Sequence, residues 1–165
     1  MNQGRSIPFS RVLTRLPIAV AVMRGSPLYP KIQGTVKFYQ TTNGILIATE
    51  LVGLPEAEDR CGGRFFGFHI HSGERCAGNE EGPFSEAGTH YNPSDCLHLK
   101  HAGDLPPILG AGGIGYSVVL TNRFTVTEIV GRTVVLHEHA DDVTTRPAGN
   151  AGRRIACGEI RPVRR

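Results

Sequence analysis

Long apolar runs are missing from this 165-residue chain. The longest, Ile18–Met23, falls far short of the roughly 18 residues a membrane helix needs. No Asp or Glu occurs before Glu50, whereas Arg5, Arg11, Arg15, Arg24, Lys31 and Lys37 all precede it. An acid-free, arginine-bearing start suits an organelle transit peptide, but Pro8 and Pro17 break the amphipathic helix such a peptide forms. Arg11, Arg15 and Pro17 likewise interrupt the apolar core of a secretory signal. The expectation is a flexible extension over residues 1–17 of a cytoplasmic protein whose domain runs from 18 to 165. A large charge excess is also lacking. The 18 basic and 15 acidic residues leave +3, which gives no argument for a nucleic-acid or membrane partner. Stretches free of Gly and Pro are short. With 21 Gly and 11 Pro, each costly inside a helix, a helical bundle is all but excluded and many short strands joined by turns are expected.

The strands can be read from alternation. Ile32, Val36 and Phe38 alternate with Gln33, Thr35, Lys37 and Tyr39, and Ile45, Ile47, Thr49 and Leu51 repeat the period. Asn43-Gly44 between them signals a type I′ hairpin turn. Arg64–His71 puts Phe66, Phe68 and Ile70 on one face, with Phe65, Gly67, His69 and His71 on the other. Tyr116–Leu120, Phe124–Glu128, Thr133–His137 and Ile155–Ile160 read as further short strands. Ser72–Gly115 shows little period and holds four prolines. A loop of that length in a compact domain is usually functional or pinned by a metal or disulfide. Asp141–Gly152 reads as a second irregular loop. The pattern describes one all-β sandwich or barrel carrying two long loops.

Histidines are concentrated where these loops begin and end. His69 and His71 project from one strand face, so both can reach one ion. His90, His98, His101 and Asp104 follow in the long loop, and His137 ends a separate strand. Three imidazoles and a carboxylate suit tetrahedral zinc. His139 stands apart as a solvated loop residue. The H-x-H-x-D-H pattern of metallo-β-lactamase-type hydrolases fails at Ser72 and Gly73, and the cupin pattern fails at Arg75 and Cys76.

Gly67-Phe68-His69-Ile70-His71 resembles the first signature of the copper–zinc superoxide dismutases. Gly149-Asn150-Ala151-Gly152-Arg153-Arg154-Ile155-Ala156-Cys157-Gly158 resembles that family's C-terminal signature. Between them His90-Tyr91-Asn92-Pro93, His101-Ala102-Gly103-Asp104-Leu105 and Gly131–Glu138 match in the same order, so the resemblance spans residues 18–160. It implies a Greek-key β-barrel or sandwich of about eight antiparallel strands. It also implies an enzyme that turns two superoxide anions and two protons into oxygen and hydrogen peroxide.

Carried over residue by residue, His69, His71, His90 and His137 would bind copper, and His90, His98, His101 and Asp104 would bind zinc. His90 would bridge the two metals and carry a proton. Arg154 would guide the anion to copper. Asp141 would link a copper histidine to a zinc histidine, and Cys76 and Cys157 would form a disulfide. The partners implied are superoxide and a second copy of the chain in a homodimer. A non-catalytic copper- or zinc-binding protein on the same fold is the alternative. Such a store could dispense with His90 and Arg154, and both are present. Two departures stand out. His98 and His101 are only three apart, and the loop after Glu138 is short with Asp141 and Asp142 as its only acids. Cys61 and Cys96 have no counterpart in the pattern and could pair or remain thiols.

Overall fold

The structure is a computed structural model that describes residues 8–57, 62–142 and 144–164. Eight strands form a closed antiparallel barrel: β1 (Ala19–Gly25), β2 (Gln33–Thr41), β3 (Gly44–Val52), β4 (Arg64–His71), β5 (Asp104–Ala111), β6 (Ile114–Thr121), β7 (Thr133–His137) and β8 (Arg154–Pro162). They pair in the order β1-β2-β3-β6-β5-β4-β7-β8, and β8 closes on β1. Two crossovers, from β3 to β4 and from β6 to β7, make the Greek key. Closure leaves no unpaired sheet edge. Among the described residues no helix is long and apolar enough to cross a membrane.

Side-chain alternation decides what lies inside. Ala19, Ala21, Met23, Val36, Phe38, Phe66, Phe68, Ile70, Val134, Leu136 and Ile160 fill the barrel, each at most 2% exposed. β4 from Phe66 to His71 and all of β7 are buried on both faces. Their inner faces meet this core, and their outer faces are covered by the two long loops. Those outer faces carry His69, His71 and His137.

The strand count agrees with the sequence reading, but two members differ. Phe124–Glu128, expected as a strand, gives instead a helical turn, α2 (Val126–Ile129), while Phe124 anchors in the core. The reason is a capping signature: the Glu128 carboxylate accepts the Thr125 backbone N–H at 2.6 Å. The eighth strand is β5, inside the segment expected to be irregular. Pro106 and Pro107 hide it in sequence because they cannot donate to a ladder. They sit at a register shift, between the pairs Phe66↔Ile108 and Phe68↔Leu105, where two residues oppose the single Gly67. The type I′ signature is also elsewhere. Thr42-Asn43 turns without positive φ, whereas Gly112-Gly113 joins β5 to β6 at φ 58° and 74°.

Part of the N-terminal segment expected to be loose is ordered. Phe9–Leu13 forms a short helix, α1, whose Val12 is 5% exposed against Tyr39, Leu46 and Ala48 on the barrel's outer surface. Residues 1–7 lie outside the described residues, and so does Cys61, so the Cys61–Cys96 pairing is not described either.

Candidate metal centre

Four local devices bring the histidines together. The first is β4 itself, which places His69 and His71 on its outer face. The second is a short pairing beside it: Tyr91 N–H donates to the Ile70 carbonyl at 2.8 Å, and Gly103 N–H to the Tyr91 carbonyl at 2.8 Å. Tyr91 is buried in the core with Arg132 stacked 4.3 Å over its ring, so His90 is fixed opposite His71. The third is the register of β5, which sets Asp104 directly beside His69. The fourth is β7, whose last residue is His137.

Two four-residue groups result, His69-His71-His90-His137 and His90-His98-His101-Asp104. Within each, the candidate donor atoms lie within 4.8 Å of one another. His90 belongs to both. Its Nδ1 is 2.8 Å from Asp104 Oδ1 and 3.4 Å from His101 Nδ1, while its Nε2 is buried without a hydrogen-bond partner. One ring nitrogen therefore serves each group.

The tautomers are set by neighbours that can only accept. His71 Nδ1 donates to the Gly88 carbonyl at 3.0 Å, and His137 Nδ1 to the Gly152 carbonyl at 3.3 Å. Each therefore turns an Nε2 lone pair inward, and these two nitrogens are 3.2 Å apart. Burial also keeps the rings neutral. It pushes His71 well below the usual imidazole range and His137 down to about 3. Burial lowers His69 as well, against the opposing Asp141 hydrogen bond. Two neutral lone pairs at this distance share no proton, so they fit a cation between them. His69 Nδ1 and both His98 nitrogens are likewise buried without a hydrogen-bond partner. These orphaned atoms make a donor set complete for two metals. Imidazole suits both copper and zinc, and the carboxylate of Asp104 completes a zinc set. Burial alone would raise Asp104, but its contact with His90 and the electrostatic influence of the surrounding imidazoles outweigh it and hold the carboxyl low.

Asp141 links the groups from outside. Its Oδ2 is 2.8 Å from His69 Nε2 and 3.7 Å from His98 Nε2. Gly149 makes room for it: at φ 67°, a Cβ there would lie 2.4 Å from His98 Nε2 and 2.9 Å from Asp141 Cβ. Gly67 pins the loop start, donating to the His139 carbonyl at 2.7 Å. The His139 side chain stays exposed, 4.0 Å from Glu138.

A cleft of about 400 Å³ opens above the first group, lined by His71, His90, His137, Pro147, Gly152 and Arg154. Arg154 donates from Nη1 to the Phe84 carbonyl and from Nη2 to the Gly88 carbonyl, each at 2.5 Å. Burial lowers its pKa without taking it from the cationic state. The same Gly88 carbonyl orients His71, so one loop sets both the ligand and the cation. Cys76 and Cys157 form a disulfide that ties this loop to β8. Ala87, Val135 and Cys157, with Phe84 packed against them, seal its underside.

Sequence pattern had not marked Arg123, Arg132 or Tyr29. Arg132 donates to the Ser72 carbonyl at 2.9 Å. Tyr29 donates to Glu138 at 2.6 Å, and Arg153 holds the same carboxylate with two bonds. The Arg153 bonds first and the Tyr29 bond second hold Glu138 down at about 2. Nothing local in sequence announces such contacts, since their partners are carbonyls or distant side chains.

A closed Greek-key barrel holding two four-ligand groups that share one imidazole defines a two-metal protein with one open, cation-lined face. The sequence comparisons specify it further. A family model described as copper/zinc superoxide dismutase matches residues 32–160. The chain is 34% identical over 151 residues to "Superoxide dismutase [Cu-Zn]" of Deinococcus radiodurans, covering 81% of this chain and 79% of that protein. It is 31% identical over 141 residues to the protein of the same name from Photobacterium leiognathi, covering 77% and 78%. The solved structure "Cu/Zn superoxide dismutase from Brucella abortus" superimposes with a TM-score of 0.71 at 26% identity, covering 86% of this chain and 98% of that one. The chain belongs to the copper/zinc superoxide dismutase family and is an enzyme of that class, with copper and zinc as its metals.

Proposed function

We propose that this chain converts two superoxide anions and two protons to oxygen and hydrogen peroxide at the cleft above His71, His90 and His137. His69, His71, His90 and His137 would hold copper, and His90, His98, His101 and Asp104 would hold zinc. Copper supplies the one-electron couple that neither zinc nor any side chain here provides. Arg154 binds the incoming anion and orients it, its charge fixed by the two carbonyls it holds. His90 lines the cleft, and its Nε2 lone pair can either serve the copper set or hold a proton and hand it over, while Nδ1 stays with the zinc set. Asp141 keeps the proton of His69 on Nε2, which leaves Nδ1 to ligate.

The observation that carries this reading is the sharing of His90 between two groups, one nitrogen to each, beside the half-buried Arg154 cation. A superoxide-consumption assay on copper- and zinc-loaded protein, with chelated protein as control, tests it. His137→Ala should abolish turnover and leave zinc bound; retained turnover would refute the copper assignment.

The homodimer belongs to the same reading. Phe65 and Leu109, paired across β4 and β5, continue into Ile114, Tyr116, Val118 and Leu120 along the outer face of β6, all at least 38% exposed. A contiguous apolar sheet face of this kind supports self-association. Sedimentation equilibrium should give a dimer that Tyr116→Glu converts to monomer. A monomeric parent would remove the dimer from the reading.

A further inference from the structure

The segment from Asn92 to Gly103 supplies two of the four zinc-set residues and leads straight into a third, Asp104, yet it forms neither helix nor strand. Its internal restraints are few. The Asn92 side chain donates to the Cys96 carbonyl at 2.8 Å and accepts from Cys96 N–H at 3.0 Å. Lys100 N–H donates to the Leu97 carbonyl at 2.7 Å. These bonds order the first half of the loop. The second half has a local pair, Asp104 N–H to the His101 carbonyl at 3.2 Å and His101 N–H to Asp104 Oδ2 at 3.1 Å, and Gly103 N–H reaches the Tyr91 carbonyl. What else fixes the His101 and Asp104 carbonyls comes from outside the loop.

We propose that Arg123 is the positioning residue for the zinc set. Its Nη1 donates to the His101 carbonyl at 3.1 Å and lies 3.5 Å from the Leu99 carbonyl, and its Nη2 donates to the Asp104 carbonyl. Two of these three carbonyls belong to ligand residues. A carbonyl and a side chain leave one residue in different directions, so fixing the first restricts the second. Only a planar guanidinium, with five donors in a rigid fork, gathers several carbonyls at once; a lysine offers one mobile point charge. Arg123 comes from the turn between β6 and α2, outside both metal loops. That turn is itself anchored, by Arg123 N–H on Thr121 Oγ1 at 3.3 Å and by the buried Phe124 that follows. The clasp therefore transmits the rigidity of the barrel to a short, irregular loop. It lowers the ordering cost that metal binding otherwise meets, as outer partners of metal ligands do.

The inference rests on the zinc assignment above, and its test separates the two. Metal-free Arg123→Gln and Arg123→Lys proteins are compared with the parent, using Zn²⁺ in competition with a chelator and Co²⁺ as a spectroscopic probe. Zinc affinity should fall about 10–100-fold in Arg123→Gln, and less in Arg123→Lys. The tetrahedral Co²⁺ bands should weaken in parallel. Copper affinity and the far-UV spectrum should stay unchanged. Zinc affinity within about twofold of the parent overturns the clasp while leaving the zinc site intact. A parent that takes neither ion at this group overturns the zinc assignment and the clasp with it. Loss of the β-barrel spectrum in both variants also overturns the proposal, because it assigns Arg123 to folding rather than to metal binding.

Discussion

Replacing both Cys76 and Cys157 by Ser removes the covalent tie between the loop after β4 and β8. The two residues are 81 apart in sequence, and closing a loop of that size corresponds to about 4.5 kcal/mol of unfolded-chain entropy. Domains of this kind hold roughly 5–15 kcal/mol in total, so the bridge represents about a third or more of that stability. The melting temperature of the metal-free double variant should fall by roughly 9–18 °C, at about 2–4 °C per kcal/mol for this size. A local effect accompanies the global one. The loop that the bridge tethers carries the Phe84 and Gly88 carbonyls that fix Arg154, and Gly88 also sets the tautomer of His71. Below its melting point the metal-loaded variant should therefore dismutate superoxide more slowly than the parent, with weaker sensitivity to salt. Urea unfolding of both metal-free proteins, followed by rates across ionic strength, measures the two parts. Unfolding free energies within 1 kcal/mol of each other would refute the entropic argument, and an unchanged salt profile would refute the link to Arg154.

Arg154→Gln should slow turnover by about tenfold or more and flatten its dependence on ionic strength, since a fixed charge near the reacting centre speeds capture of a small anion; elemental analysis should still find copper. Gly149→Ala should cost about 1–3 kcal/mol for a left-handed non-glycine residue. It should also loosen zinc, because the new methyl meets His98 and Asp141; chelator competition reads this directly. Val12→Ala should destabilise the chain by about 1–2 kcal/mol through lost burial against Tyr39, Leu46 and Ala48. An unchanged urea midpoint in that variant would mean that α1 does not dock in solution.

Much of the site can be read in the chain because its chemistry is written in short spacings. His69 and His71 share a strand face by the two-residue period alone, and the hydrophobic partners Phe66, Phe68 and Ile70 state which face is inward. The family resemblance then names His90, His98, His101, Asp104, His137, Asp141 and Arg154, and the structure gathers the histidines and Asp104 into two groups joined at His90, with Asp141 beside His69 and Arg154 on the cleft. Where sequence fell short, a local signal was overridden or overlooked. Pro106 and Pro107 concealed β5, since prolines normally deny a strand and here occupy a bulge. Thr125 and Glu128 formed a helix cap inside a stretch whose alternation suggested a strand. Arg123 carries no motif at all, because its partners are backbone carbonyls that every residue possesses.

The sequence by itself therefore determined the all-β class, the inward faces of β2, β3 and β4 and the types of group available to bind metal. Periodicity and side-chain chemistry are local properties, so they survive without coordinates. Only the tertiary structure decided which nitrogen of each ring faces which group. His71 and His137 are 66 residues apart, and their Nε2 atoms meet only because the crossover lays β7 beside β4. Their tautomers depend on the carbonyls of Gly88 and Gly152, which no spacing rule reaches. Barrel closure holds these distant segments at ångström separations, and that long-range restraint turns a list of histidines into two metal sites joined by one ring.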